Sequence, residues 1–206
     1  MSSKIKSHWE HIYKTKKIDG VSWYQETPSE SIELIQKFST TNSDKIIDIG
    51  CGKGFLADNL LKLNYENITL VDISLNALNE VKERLNNESL SFIETNVLNL
   101  KLEQTFDIWH DRAVFHFITE KEGVEKYISI CNRYINKGGI LIIGTFAEDG
   151  PLKCSGLEIK RYSINNLKEL FKENFEFIEG FKKLHSTPFD TQQSFTFCVF
   201  KKFTNR

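Results

Sequence analysis

No two cysteines in this chain of 206 residues form a C-x-x-C pair. Cys51, Cys131, Cys154 and Cys198 lie far apart, which argues against a zinc site and against a dense disulfide framework. Reduced, mostly buried thiols and no metal are the expectation. Charge of one sign is also missing: 27 Lys and Arg against 28 Asp and Glu leave a formal net charge of −1. Such a chain has no general attraction to nucleic acid or to an anionic membrane. No apolar run approaches the roughly 20 residues that cross a bilayer. The opening Met-Ser-Ser-Lys-Ile-Lys-Ser-His-Trp lacks the apolar stretch of a secretory signal, so a cytoplasmic location is expected. Nor does any low-complexity linker, internal repeat or long charge block divide the chain. A single domain over residues 1–206 follows, large enough to bury roughly 70% of its unfolded surface without a metal or a disulfide.

What is present is alternation. Short β-rich runs at 45–49, 68–71, 90–94, 106–110 and 139–146 are separated by amphipathic helical stretches. Runs at 175–184 and 195–202 read as a closing antiparallel pair. This order predicts an α/β fold: a seven-stranded mostly parallel sheet, helices on both faces and an antiparallel last strand. Thr27-Pro28-Ser29-Glu30 reads as a capping box with Thr27 as N-cap, and Thr119 with Glu122 repeats the signal. Ser74 and Ser163 are further N-cap candidates. Two helices, at 7–13 and 28–38, precede the first strand. They are placed to cover the crevice that an open sheet has at the carboxyl ends of its strands.

The sharpest local signal runs from Lys45 to Leu56. A strand enters a glycine-rich turn, D-x-G-x-G-x-G from Asp48 through Gly50 and Gly52 to Gly54, and a helix follows. A second acid, Asp72, ends the next strand about 20 residues on, followed by Ile73, where it can accept hydrogen bonds from both hydroxyls of an adenosine ribose. The dinucleotide fingerprint G-x-G-x-x-G does not fit, because its third glycine would fall at Phe55.

These residues resemble the motif of class I S-adenosylmethionine (SAM)-dependent methyltransferases. The resemblance implies SAM as cofactor and S-adenosylhomocysteine (SAH) as product, with Asp48 helping to bind the α-amino group. It implies adenine contacts from Asn96 and Val97, although the family often has an acid where Asn96 stands. The stretches 106–112 and 136–141 resemble the family's fourth-strand motif and its turn into strand five. Trp9, Tyr13 and the pair Trp23-Tyr24 resemble the N-terminal aromatics of elongation-factor lysine methyltransferases, which close over SAM. Packing of the first helix on the sheet is the alternative for these side chains. Asp111-Arg112-Ala113-Val114 resembles the Asp-Lys-Gly-Thr run of the same enzymes, with its basic character kept and its Gly and Thr lost. By this reading residues 1–40 are a helical cap over the SAM cleft, 41–147 the SAM-binding core, and 148–206 an acceptor-side loop with closing strands.

Methyl transfer from a sulfonium is an in-line displacement that depends on positioning and on a deprotonated acceptor. A lysine acceptor would need about 4.6 kcal/mol to be neutral at pH 7. Residues after strand four are the candidates to help: His110, Asp111 and His116. Asp111 is taken to orient the acceptor or the methionine amine, and His116 to act as general base. The apolar stretch around His116, and the strand-end position of His110, leave a structural role open for each. Glycines and a proline in 148–156 suggest a mobile loop near the acceptor. Lys160-Arg161-Tyr162 is either a guide for an anionic substrate or a solvated turn. His185 lies in the last hairpin connection, as pocket wall or simple turn.

The acceptor stays open among a protein lysine and a small molecule methylated at O, N or S, and a non-catalytic SAM-binding module is the alternative from another class. A nucleic-acid substrate is disfavoured, because His110-Asp111-Arg112-Ala113 stands where amino-group enzymes carry Asn-Pro-Pro-aromatic, and no Pro-Cys pair occurs. Oligomeric state is not legible.

Overall fold

Strand β1 (Ile46–Ile49) shows how the sheet divides the molecule. Ile47 and Ile49 fall into one apolar cluster and Ile46 into another, because successive side chains point to opposite faces. All four of its residues are buried, as a strand covered on both faces must be. The computed structural model describes residues 2–204. Helices α1 (Ser2–Thr15) and α2 (Ser29–Phe38) come before β1. After it follow α3 (Leu56–Lys62), β2 (Ile68–Asp72), α4 (Leu75–Leu85), β3 (Ser91–Glu94), β4 (Phe106–Arg112), α5 (Lys121–Tyr134) and β5 (Ile135–Phe146). A small hairpin, β6 (Lys153–Cys154) with β7 (Leu157–Glu158), precedes α6 (Ile164–Phe171), β8 (Phe175–Ser186) and β9 (Gln192–Lys202).

Seven strands form one sheet in the order β3-β2-β1-β4-β5-β9-β8. The five from β3 to β5 pair in parallel, and β9 runs antiparallel to β5 and β8. Ile35, Leu60 and Val81 from α2, α3 and α4 pack on one face; Tyr127 and Leu167 from α5 and α6 pack on the other. The expected architecture is therefore the observed one. Strand order reverses at β1, which has β2 on one side and β4 on the other, so the chain leaves the two strands in opposite directions and opens a crevice between them. No helix among the described residues is long and apolar enough to cross a membrane.

Local punctuation holds in two of four places. Ser74 Oγ accepts the Ala77 N–H (3.2 Å), and Ser163 forms a reciprocal box with Asn166. Thr27 does not cap α2: its carbonyl takes the Ser29 N–H (2.9 Å), and the helix starts one residue later, after Pro28, whose carbonyl accepts from Ile32 (3.0 Å). Thr119 does not cap α5 either, because Glu120 holds the N-cap position without a side-chain bond. Strand β4 runs two residues past 110, since Asp111 and Arg112 still pair with Ile143 and Gly144. Strand β5 starts at Ile135, directly after α5, rather than at 139. The expected open loop over 148–156 contributes one strand of the β6–β7 hairpin.

Candidate functional site

The chain must leave β1 and begin α3 within six residues. Gly50 (φ +67°) and Gly52 (φ +53°) make that turn in the left-handed region, where a Cβ is strained. A Cβ on Gly50 would lie 2.0 Å from Val114 Cγ2, and one on Gly52 would lie 2.5 Å from the Tyr13 hydroxyl. Bare backbone here lets the turn after β4 and the first helix close down on the loop. The Gly54 N–H completes the turn on the Cys51 carbonyl (3.0 Å).

Asp72 ends β2 beside this loop, 5% exposed. One carboxylate oxygen accepts the Gly52 N–H and the other the Ser74 N–H, both at 2.8 Å. Burial pushes its carboxyl up to about 6, against the pull of these amides. A carboxylate offers about four lone-pair sites. Acceptor capacity on both oxygens therefore remains for donors in the crevice. Ile73, Asn96 and Val97 line the same end. The Asn96 carbonyl oxygen is committed to the Leu98 N–H (2.9 Å), which leaves its amide group.

Helix α1 roofs the crevice. Trp9 stacks on Tyr13 (5.9 Å between ring centroids) and meets Trp23 (5.7 Å) and Phe117 (5.3 Å) edge-on, while Tyr24 packs against Phe55 (6.2 Å). Glu10 fastens the roof to the start of α4, accepting from Ser74 Oγ (2.9 Å) and the Leu75 N–H (2.7 Å). Burial alone would raise the Glu10 carboxyl, but the Leu75 amide and Ser74 hydroxyl outweigh it and hold it below the usual range. Lys6 adds an ion pair with Glu94 at the end of β3. Beneath lies a cavity of about 640 Å³.

The far end of the cavity is built on β4. Asp48 pairs in register with His110 on the neighbouring parallel strand, so both side chains share one face. His110 Nδ1 is 2.7 Å from Asp48 Oδ1, and its Nε2 is 2.8 Å from the Ser31 hydroxyl on α2. Arg112, two residues on, reaches the same wall, with Cys154 and Phe117. Its guanidinium donates to the Trp23 carbonyl (3.3 Å) and stands 4.7 Å from the Phe195 ring. Ala113 then takes φ +70°, the conformation natural to the glycine of the Asp-Lys-Gly-Thr run that it replaces.

Asp111 and His116, expected at the acceptor from sequence, do not join this group: both are buried in the core and neither lines the cavity. Asp111 is fully buried on the α5 side of β4. It accepts the Val114 N–H (3.0 Å), the Phe115 N–H (3.2 Å) and the Tyr127 hydroxyl (2.5 Å). Burial pushes its carboxyl up to about 6, yet those bonds spend it on building the turn after β4. His116 is fully buried between Phe117 and Phe146 (4.5 and 4.8 Å), with Nδ1 facing the Phe146 N–H at 3.4 Å. Burial, then the Arg112 charge, push it down to about 3, so its ring is neutral at neutral pH. It sits in the core, off the cavity wall. His185 faces the Ser22 carbonyl (2.8 Å) and braces the segment before Trp23, and Arg161 donates to the Gly150 carbonyl (3.1 Å). Ser31, Arg112, Cys154 and Glu10 were not singled out for the site from sequence. Strand geometry ties Arg112 to the face of His110, but which face meets the cavity follows only from the pairing with β1.

A family model described as a methyltransferase domain matches residues 40–197. The chain is 28% identical over 141 residues to the malonyl-[acyl-carrier protein] O-methyltransferase 2 of Ilyobacter polytropus, covering 68% of this chain and 52% of that protein. It is 24% identical over 155 residues to the eEF1A lysine and N-terminal methyltransferase of Mus musculus, covering 71% of this chain and 22% of that one. The structure of the N-methyltransferase NodS from Bradyrhizobium japonicum WM9 in complex with SAH has a TM-score of 0.72 at 12% identity, covering 95% of this chain and 98% of that chain. That last likeness is one of fold. This chain spans about half the length of the bacterial malonyl-[acyl-carrier protein] O-methyltransferases it matches, and less of the mouse protein.

Proposed function

The chain belongs to the methyltransferase-domain family, and from that premise we propose that it binds SAM in the roofed crevice and passes the methyl group to a small-molecule acceptor, releasing SAH. The observation that carries this reading is Asp72: a buried carboxylate on the cavity wall, oriented by two backbone N–H groups, with lone pairs left for two ribose hydroxyls. Asn96, with Ile73 and Val97 beside it, would offer its amide to adenine. The backbone of Gly50, Gly52 and Gly54 would receive the methionine part, with Asp48 near enough to attract its ammonium. Trp9, Tyr13 and Tyr24 would cover it and exclude water. When bound, SAM supplies an electrophilic methyl for in-line displacement. The chain's own part is to hold the acceptor in line and to receive its proton, for which the wall offers Ser31 and His110, the imidazole fixed by Asp48.

Enclosure favours a small acceptor over a protein side chain, because α1 and the segment through Gln25 cover the cavity. The aromatic cluster of Trp9, Trp23 and Phe117 supports protein lysine as the second reading. Incubation of isotopically labelled SAM with a fractionated lysate, using Asp72→Ala as control, separates them. Label in small molecules supports the reading, and label in a protein band moves it to lysine. Measurable SAH binding with no label in any fraction would favour a non-catalytic module.

A further inference from the structure

The Arg112 guanidinium forms no ion pair among the described residues, although the Glu30 and Asp48 charges act on it. It has five N–H donors, and the protein acceptor it reaches is the Trp23 carbonyl at 3.3 Å. The acids nearest to it are engaged elsewhere: Glu30 with Lys183 (2.7 Å) and Asp48 with His110 (2.7 Å). Its other neighbours offer no negative charge. His116 is neutral, burial followed by the Arg112 charge lowers His185 as well, and burial pushes the Cys154 thiol up to about 12. Burial lowers Arg112 itself to about 10, which leaves it charged at neutral pH. The side chain is half-buried, so the donors it leaves unspent are within reach of a ligand in the cavity. Its central carbon stands 4.7 Å from the Phe195 ring centroid, and the side chain lines the cavity with Trp23 and Phe117.

We propose that Arg112 is the acceptor-recognition residue of this cavity and takes a small organic carboxylate as a bidentate pair. The apolar body of the acceptor lies against Trp23 and Phe117. This rests on the reading of the cavity as a SAM site with an acceptor end. A planar fork matches a carboxylate in geometry, and one guanidinium balances one negative charge. The same cation repels an ammonium, which sets the site against lysine. His110 and Ser31 stand on the adjoining wall, so a carboxylate held at Arg112 places a nucleophilic atom of the same molecule near them.

The test is calorimetric titration of benzoate, benzamide and inorganic phosphate into the SAH-loaded protein. Benzoate is expected to bind at least about tenfold more tightly than benzamide, its uncharged counterpart, a comparison that needs no variant. Arg112→Gln is expected to erase the difference and Arg112→Lys to keep part of it, with SAH affinity changed by less than about threefold in both. If Arg112 only holds the Trp23 segment, SAH affinity and thermal stability will fall while benzoate and benzamide bind alike, and the proposal is overturned. Phosphate binding more tightly than benzoate overturns the carboxylate class. Failure of SAH to bind, with benzoate still held through Arg112, keeps the anion site and removes the cofactor reading. Failure of both removes both.

Discussion

Asp72 and Asp111 make an instructive pair. Asp72 is the last residue of a parallel strand and Asp111 the last but one of another, each is buried, and burial pushes each carboxyl to about 6. Yet Asp72 lies on the cavity wall and keeps acceptor capacity on both oxygens, whereas Asp111 faces the α5 side and is bonded to Val114, Phe115 and Tyr127. A perturbed carboxyl is thus no mark of a binding site in itself. Unspent hydrogen-bonding capacity turned toward a cavity is what distinguishes the two.

Substitution breaks or sharpens that contrast. Asp72→Ala should weaken SAH binding by about a hundredfold or more, since two charge-assisted hydrogen bonds are lost at roughly 1.5–3 kcal/mol each. Retained affinity by calorimetry would erase the distinction. Asp111→Asn should do the reverse. It turns an amide N–H₂ toward a donor and should cost about 2 kcal/mol in urea unfolding, with the SAH dissociation constant unchanged.

Acidity offers a gentler probe. Hydroxyl donors favour the ionised carboxylate, so bound SAH lowers the pKa of Asp72 from its free value of about 6. Affinity should then be full from about pH 7 upward, halved at about pH 6 and down by about tenfold at pH 5. A flat profile across that window would detach Asp72 from the ribose. The smallest effect expected is at the roof. Glu10→Gln removes the charge from the start of α4, worth about 1 kcal/mol, and should speed both SAH release and hydrogen exchange in α1. Unchanged exchange would mean that Trp9, Tyr13 and Lys6 hold the helix alone.

Asp48, the three glycines, Asp72, Asn96 and Val97 were legible because each belongs to a strand end and the turn directly after it. That chemistry is read within one β-α unit and the next: glycines permit the turn after β1, and the acid that takes the Gly52 N–H ends β2, 20 positions on. Ser74 and Ser163 were legible as caps for the same reason. Thr27 and Thr119 misled because the position of a helix start depends on which backbone conformation the preceding residue adopts. At Pro28 the helix simply begins one residue later.

The order of strands, their mostly parallel pairing and the glycine turn all follow from periodicity and short-range backbone chemistry, which any stretch of the chain carries with it. The phase of β4 does not. Five of its seven residues are buried and the other two half-buried, so no alternation of apolar and polar residues says whether Asp111 or its neighbours Arg112 and His110 meet the cavity. Pairing with β1 settles that, by setting His110 beside Asp48. Ser31 reaches His110 across 79 positions and Glu10 reaches Leu75 across 65, and no local rule links residues so far apart. Their encounter depends on which helix packs on which face of the sheet, and it is packing, through the apolar surface it buries, that assembles the acceptor end and its roof.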